Sequence, residues 1–206
     1  MGPRRSGRQP ERRAAHPAGH PNLLIFKRNL VSLYAKQGKT DNAVALLREV
    51  IAASRGTLPK DSPELAGQLS MLSQTLLELK AWDEAEPLIR EALTIYEKTQ
   101  PDAWTTFNTK SMLGGVLLGQ KKLPEAEPLL LEGYRRMKEP EANPPQGQSR
   151  IPEALERLVR LYEAKGNQPE AAAWRSKLEA AQAAQAKSPM QRNRRISSDE
   201  PASVIN

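Results

Sequence analysis

The chain has 206 residues, with 31 Lys and Arg against 24 Asp and Glu for a formal net charge of +7, and it contains no Cys. That length suits one domain or a short stack of helical hairpins, and without Cys there are no disulfides, no thiolate catalysis and no Cys-ligated zinc. Hydrophobic residues make up 38% and aromatics 4%; Ala, Leu, Glu, Lys and Gln fill the middle of the chain and favour helix, because they lose little rotamer freedom there.

The charge is not spread evenly. Residues 1–20 carry five Arg against one Glu, and residues 186–206 carry four basic against two acidic side chains, which leaves residues 21–185 at +1. A nucleic-acid-binding body needs a clustered basic stripe, and a near-neutral body argues against one. The apolar run Leu23 to Phe26 is far short of the ~20 residues of a membrane span. The Arg-rich start does not lead into an apolar leader segment. These features predict a cytoplasmic protein that does not contact membranes.

In chain order, residues 1–20 show no apolar periodicity and read as a disordered basic arm. Eight helices are expected near 22–37, 41–54, 63–80, 83–97, 103–120, 124–138, 151–165 and 169–185. They pair into units near 22–56, 63–98, 103–138 and 151–185, a repeat domain over 21–185, before a disordered tail at 186–206. The pairing rests on an internal repeat. Ala43, Ala85, Ala126 and Ala171 recur at spacings of 42, 41 and 45. Leu30, Leu72, Leu113 and Leu158 keep step with them, as do Tyr34, Leu76, Leu117 and Tyr162.

Within a unit, the aliphatic residue and the large residue four later line one face of a first helix. Gly38 or a short polar turn ends that helix, since glycine accepts the left-handed conformation of a C-terminal cap. Asp41, Asp83, Pro124 and Pro169 open the second helix, where acids complement the helix dipole and a missing N–H costs nothing. The alanine marks the closest crossing of the two helices. Pro87 and Pro128 are expected to loosen the first turns of their helices. The Pro-rich stretch 139–150 accounts for the 45-residue spacing and is expected to be a surface loop.

This pattern resembles the tetratricopeptide repeat: Leu113-Gly114 reproduces the family's Leu-Gly pair, and Leu47, Ile89 and Leu130 fill its large second-helix position. The period is longer than the usual ~34 residues and is similar to the kinesin-light-chain-type subclass. His20-Pro21-Asn22, Asp61-Ser62-Pro63-Glu64 and Gln100-Pro101-Asp102 stand where that subclass carries a His-Pro-Asp link. Residues 100–115 and 152–162 also resemble repeat regions appended to planctomycete-type bacterial serine/threonine kinases, although the chain holds no kinase motif.

The resemblance implies an all-α solenoid of about four helical hairpins that binds a peptide or protein in a concave groove lined by first helices. The positions it implies are Ile25, Arg28, Ser32 and Lys36, then Ser70, Gln74 and Glu78, then Asn108 and Ser111, then Glu156, Arg160 and Glu163. Where the family's carboxylate-binding groove carries Asn, this chain has Ser32, Gln74, Gly115 and Arg160, which departs from that clamp. A regulatory module working within a larger signalling protein is the alternative, and RNA binding by a helical-repeat code ranks below both.

Catalytic chemistry finds little to stand on. His16 and His20 have ligand spacing, but Pro17-Ala18-Gly19 forbids the helix that would align them, and no further ligands gather nearby. Gly114 and Gly119 are spaced like a phosphate loop, yet Gln120-Lys121-Lys122 follows where Lys-Ser/Thr is required; close helix packing explains them better. Arg194-Arg195-Ile196-Ser197 has the form of a basophilic kinase site. The sequence points to a non-enzyme with no metal and no cofactor.

Overall fold

The computed structural model describes residues 21–139 and 145–198, with side chains over 25–139 and 147–186. Among the described residues the backbone forms nine helices and no strand: α1 (Pro21–Lys36), α2 (Thr40–Thr57), α3 (Pro63–Glu78), α4 (Trp82–Thr99), α5 (Trp104–Gly119), α6 (Leu123–Lys138), the single turn α7 (Pro145–Gln148), α8 (Ile151–Ala164) and α9 (Gln168–Ser198). The helix starts and stops follow the expected hairpins closely, with two differences. One turn of helix interrupts the Pro-rich stretch 139–150. The last helix also continues beyond residue 185, past Pro189 to Ser198. The arm at 1–20, with His16 and His20, lies outside the described residues. So do residues 199–206 and the side chains of the Arg194–Ser197 motif.

The chain divides into two compact units, residues 1–57 and 58–206. In the first, α1 and α2 pack over Val31, Ala43, Val44, Leu47, Val50 and Ile51, and Lys27 Nζ meets Glu49 Oε2 at 2.7 Å. In the second, α3 packs on α4, α5 on α6 and α8 on α9, while α5 also meets α4 and α8. The four register alanines, Ala43, Ala85, Ala126 and Ala171, are each 0% exposed. With no exposed surface left, a larger side chain at any of them would have to displace its neighbours.

One turn is built four times. Gly38, Lys80, Lys121 and Gly166 all have positive φ (70°, 58°, 64° and 70°), and each stands five residues before its alanine. The next N–H bonds back across the turn: Lys39 to Tyr34 O, Ala81 to Leu76 O, Lys122 to Leu117 O and Asn167 to Tyr162 O, at 2.8–2.9 Å. The bonds from Gly38 to Ala35 O, Lys80 to Leu77 O, Lys121 to Leu118 O and Gly166 to Glu163 O, each reaching three residues back, complete it at 3.0–3.1 Å. This is the Schellman cap, which satisfies carbonyls that a helix end leaves free. Ser62 Oγ accepts from Leu65 N at 3.1 Å and caps α3. Asn167 Oδ1 accepts from Glu170 N at 3.2 Å and caps α9. The expected loosening at Pro87 and Pro128 is absent: α4 and α6 run through them unbroken, because a missing N–H within the first turns costs few bonds.

Helix α5 is enveloped. Its residues from Thr106 to Leu118 are buried apart from Asn108 and Lys110, and its C-terminal half, Met112 to Leu118, is apolar on all sides, as a helix segment buried all round must be. Glycines allow this closeness. A methyl at Gly133 would lie 2.8 Å from Phe107 O, and one at Gly114 would lie 2.7 Å from Leu130 Cγ. A methyl at Gly119 would lie 2.5 Å from the Trp82 ring. The pair Gly114 and Gly119 therefore serves packing.

Candidate protein-binding surface

The first helices of the second unit, α3, α5 and α8, are joined by one side chain that sequence reasoning overlooked. Arg157 on α8 is 7% exposed. Its Nη1 donates to Ser111 Oγ on α5 and its Nη2 to Gln74 Oε1 on α3, both at 3.2 Å. Glu153 Oε2 stands 3.7 Å from Nη2. The guanidinium crosses α5 beside Gly115, where a methyl would lie 3.0 Å from Arg157 Cδ and 3.2 Å from Nε. Gln74 passes the polarity outward, its Nε2 donating to Glu78 Oε1 at 3.3 Å. Burial lowers the Arg157 pKa to about 10, against the attraction of Glu153 and Glu156.

The positions expected in the groove divide into three groups. Glu78, Glu156 and Arg160 are exposed, while Gln74 and Ser70 are half-buried, and Ser70 Oγ lies 3.3 Å from Thr109 Oγ1. Ser111 corrects the expectation: it is 0% exposed, because Gly115 lets Arg157 lie over it. Asn108 is half-buried, with Nδ2 3.6 Å from Met112 Sδ, and its buried Oδ1 has no hydrogen-bond partner among the described residues. Glu163 is ion-paired with Arg175 of the following helix. In the first unit, Ile25, Ser32 and Lys36 share an exposed face of α1, and Arg28 is half-buried at its edge; Ser32 Oγ donates to Arg28 O at 3.4 Å. The clue to Arg157 was Gly115, small where the other copies carry Ser32, Gln74 and Arg160.

Away from these faces the titratable groups tie helices together. Glu127 Oε2 accepts from Lys165 Nζ at 2.6 Å and its Oε1 from Tyr162 Oη at 3.0 Å. These bonds, the Lys165 one foremost, hold the Glu127 carboxyl below the usual range despite partial burial. Burial, then the bond to Glu127, pushes Tyr162 up to about 12. Glu86 is lowered chiefly by the Gln120 amide, helped by Arg90 and Lys122. For Lys110, burial works against the charge, but Glu132 and Glu97 outweigh it and raise its pKa. Trp174 stacks on Tyr162 with centroids 6.4 Å apart and meets Tyr134 edge-on at 5.3 Å. No group of His, Cys, Asp and Glu able to hold a metal occurs among the described residues. No helix there is long and apolar enough to cross a membrane.

The helical pairs, their buried alanines and the turn built four times define hairpins of the tetratricopeptide type. Residues 22–98 match the family model described as tetratricopeptide repeat. Among solved structures the chain is similar to the nearly identical TPR-like repeats of a Podosopora anserina protein described as a kinesin light chain. In one structure of those repeats the TM-score is 0.61 at 22% identity, covering 84% of this chain and 81% of that one. In a second it is 0.59 at 22% identity, covering 83% and 80%. BtubC (BKLC) from P. vanneervenii matches with TM-score 0.58 at 17% identity, covering 79% of this chain and 64% of that one. No curated protein matches the chain. Residues 22–98 therefore match the tetratricopeptide repeat, and the chain shares the fold of the TPR-like repeats in those structures.

Proposed function

We propose that the chain is a non-catalytic scaffold that holds a protein or peptide partner on the solvent faces of its first helices. The observation that supports this most is the Arg157 network. It fixes α3, α5 and α8 against one another before any partner arrives and aims Glu78 outward through Gln74. Glu156 and Arg160 are exposed on α8, so a partner meets a surface already ordered, which cuts the entropic cost of binding. Such repeats bind through stacked neighbouring helices rather than through one pocket.

The reading is tested by affinity capture from native lysate with the full chain, comparing wild type with a Glu156→Lys/Arg160→Glu variant. Both positions are exposed, so circular dichroism should show both proteins equally helical. A protein retained by wild type and lost by the variant supports the reading. Equal retention by both removes this face from the interface.

A further inference from the structure

Among the described residues four large apolar side chains are exposed, and three of them stand on α1: Phe26 at 64%, Ile25 at 55% and Leu33 at 48%. A 3.6-residue helix brings them to one face with Asn29, Ser32 and Lys36, all exposed. Single exposed hydrophobics are ordinary, but three large ones on one helix face form a patch of the kind that marks a protein or membrane contact. The patch sits in a cationic setting. Residues 21–57 carry six Lys and Arg against two Asp and Glu, net +4, whereas residues 58–185 carry 16 against 19, net −3. Residues 1–20 add five Arg against one Glu, so that residues 1–57 together reach +8. Helix α1 has Lys27, Arg28 and Lys36 and no carboxylate. Glu49, one of the two acids on the hairpin, is engaged by Lys27.

We infer that α1 lies along an anionic bilayer surface, with Ile25, Phe26 and Leu33 entering the boundary between headgroups and acyl chains. A helix binds in this way when an apolar face is flanked by Lys and Arg, and its hold follows the apolar area buried together with the attraction to anionic lipid. Lys36 and Lys39, both exposed, would keep their ammonium groups among the lipid phosphates while their methylene stems cover apolar surface. The charge of residues 1–20 adds to the same attraction. RNA would meet the lysines and leave the three apolar side chains in water. A second copy of this chain would cover the apolar face but bring two hairpins of +4 together. The expectation that the protein does not contact membranes rested on the lack of a spanning segment and on the averaged charge of the body. Neither constrains a helix that lies in the plane of the interface. Such anchoring is independent of the partner surface proposed at Glu156 and Arg160, and would hold the scaffold at a lipid surface.

The test is cosedimentation of the full chain with vesicles of phosphatidylcholine alone or of equal parts phosphatidylcholine and phosphatidylserine. Saturable binding to the anionic vesicles is expected, at least about tenfold weaker for Phe26→Ala/Leu33→Ala and for Lys36→Glu/Lys39→Glu. It should also weaken with added salt and on the neutral vesicles. Circular dichroism should show both variants as helical as wild type. A Phe26→Trp protein should lose more emission than wild type to lipid brominated on its acyl chains, because the added indole reaches them. No binding to anionic vesicles, equal binding to both kinds, or binding undiminished in either variant overturns the inference. So does equal quenching of the Phe26→Trp and wild-type proteins. RNA binding lost only in the lysine variant, without vesicle binding, would assign the charge to a nucleic acid instead. A concentration-dependent dimer that Phe26→Ala/Leu33→Ala abolishes, without vesicle binding, would assign the face to a second copy. The Glu156→Lys/Arg160→Glu protein, whose net charge is unchanged, should bind vesicles as wild type does. Lysate capture that depends on Glu156 and Arg160, with no vesicle binding at α1, would remove this inference and leave the scaffold reading in place.

Discussion

At the scale of single residues, three positions carry the clearest consequences. Lys80 and Lys121 hold the left-handed conformation that Gly38 and Gly166 occupy in the outer repeats. For a residue with a Cβ that conformation costs on the order of 1 kcal/mol. Replacing either lysine with glycine should stabilise the fold by ~0.5–1 kcal/mol after the entropy of the freer unfolded chain is counted, measured as a rise in urea midpoint at constant slope. Arg157 behaves differently. Arg157→Ala should cost ~2–4 kcal/mol, since it opens a cavity and strips Ser111 and Gln74 of their donor. Gly115→Ala crowds the Arg157 stem and should destabilise the wild type, yet stabilise the Arg157→Ala protein by up to ~1 kcal/mol through helix propensity. A double-mutant cycle measures that change of sign. The register alanines were legible because each repeats the same local constraint. Arg157 was not, because its acceptors Gln74 and Ser111 stand 83 and 46 residues away, and nothing local marks such a reach.

Between helices, the glycines and the carboxylates decide how firmly neighbours hold. Gly133→Ala should cost ~1–3 kcal/mol, because the added methyl meets backbone at Phe107 and Ser111 rather than a yielding side chain. Gly56, which has open space around it, is the control for the same substitution. Glu86 and Glu127 both have folded pKa values below their ordinary ones. Their contribution is therefore complete above the unfolded value of about 4.3 and disappears as pH falls through the lower folded values. Thermal midpoints taken from pH 6 downward should fall in that acid window, and the fall should be shallower in a Glu86→Gln/Glu127→Gln protein. Helix boundaries followed from caps and prolines that act within a turn or two. The extension of α9 did not, because Ser188-Pro189 and the basic run that follows read locally as the end of a helix. The turns at Lys80 and Lys121 were found from the repeat register, since lysine itself gives no sign of positive φ.

For the molecule as a whole, averaging concealed what division reveals. A body of +1 argued against a nucleic-acid-binding stripe, yet it combines a hairpin of +4 with a remainder of −3. The two units also differ in how much they bury. Among the described side chains of α1 only Val31 of the large apolar ones is buried, whereas α5 is covered almost throughout. Native-state hydrogen exchange should therefore release the α1 amides at a smaller opening free energy than those of α5, and protection equal in both would contradict this. The envelopment of α5 has a further consequence during synthesis. Arg157 leaves the ribosome 42 residues after Gly115, a delay of roughly 2–8 s at about 5–20 residues per second. Through that interval the nascent chain presents an apolar helix without its last cover, and ribosome-bound chaperones should crosslink to α5 until α8 has emerged.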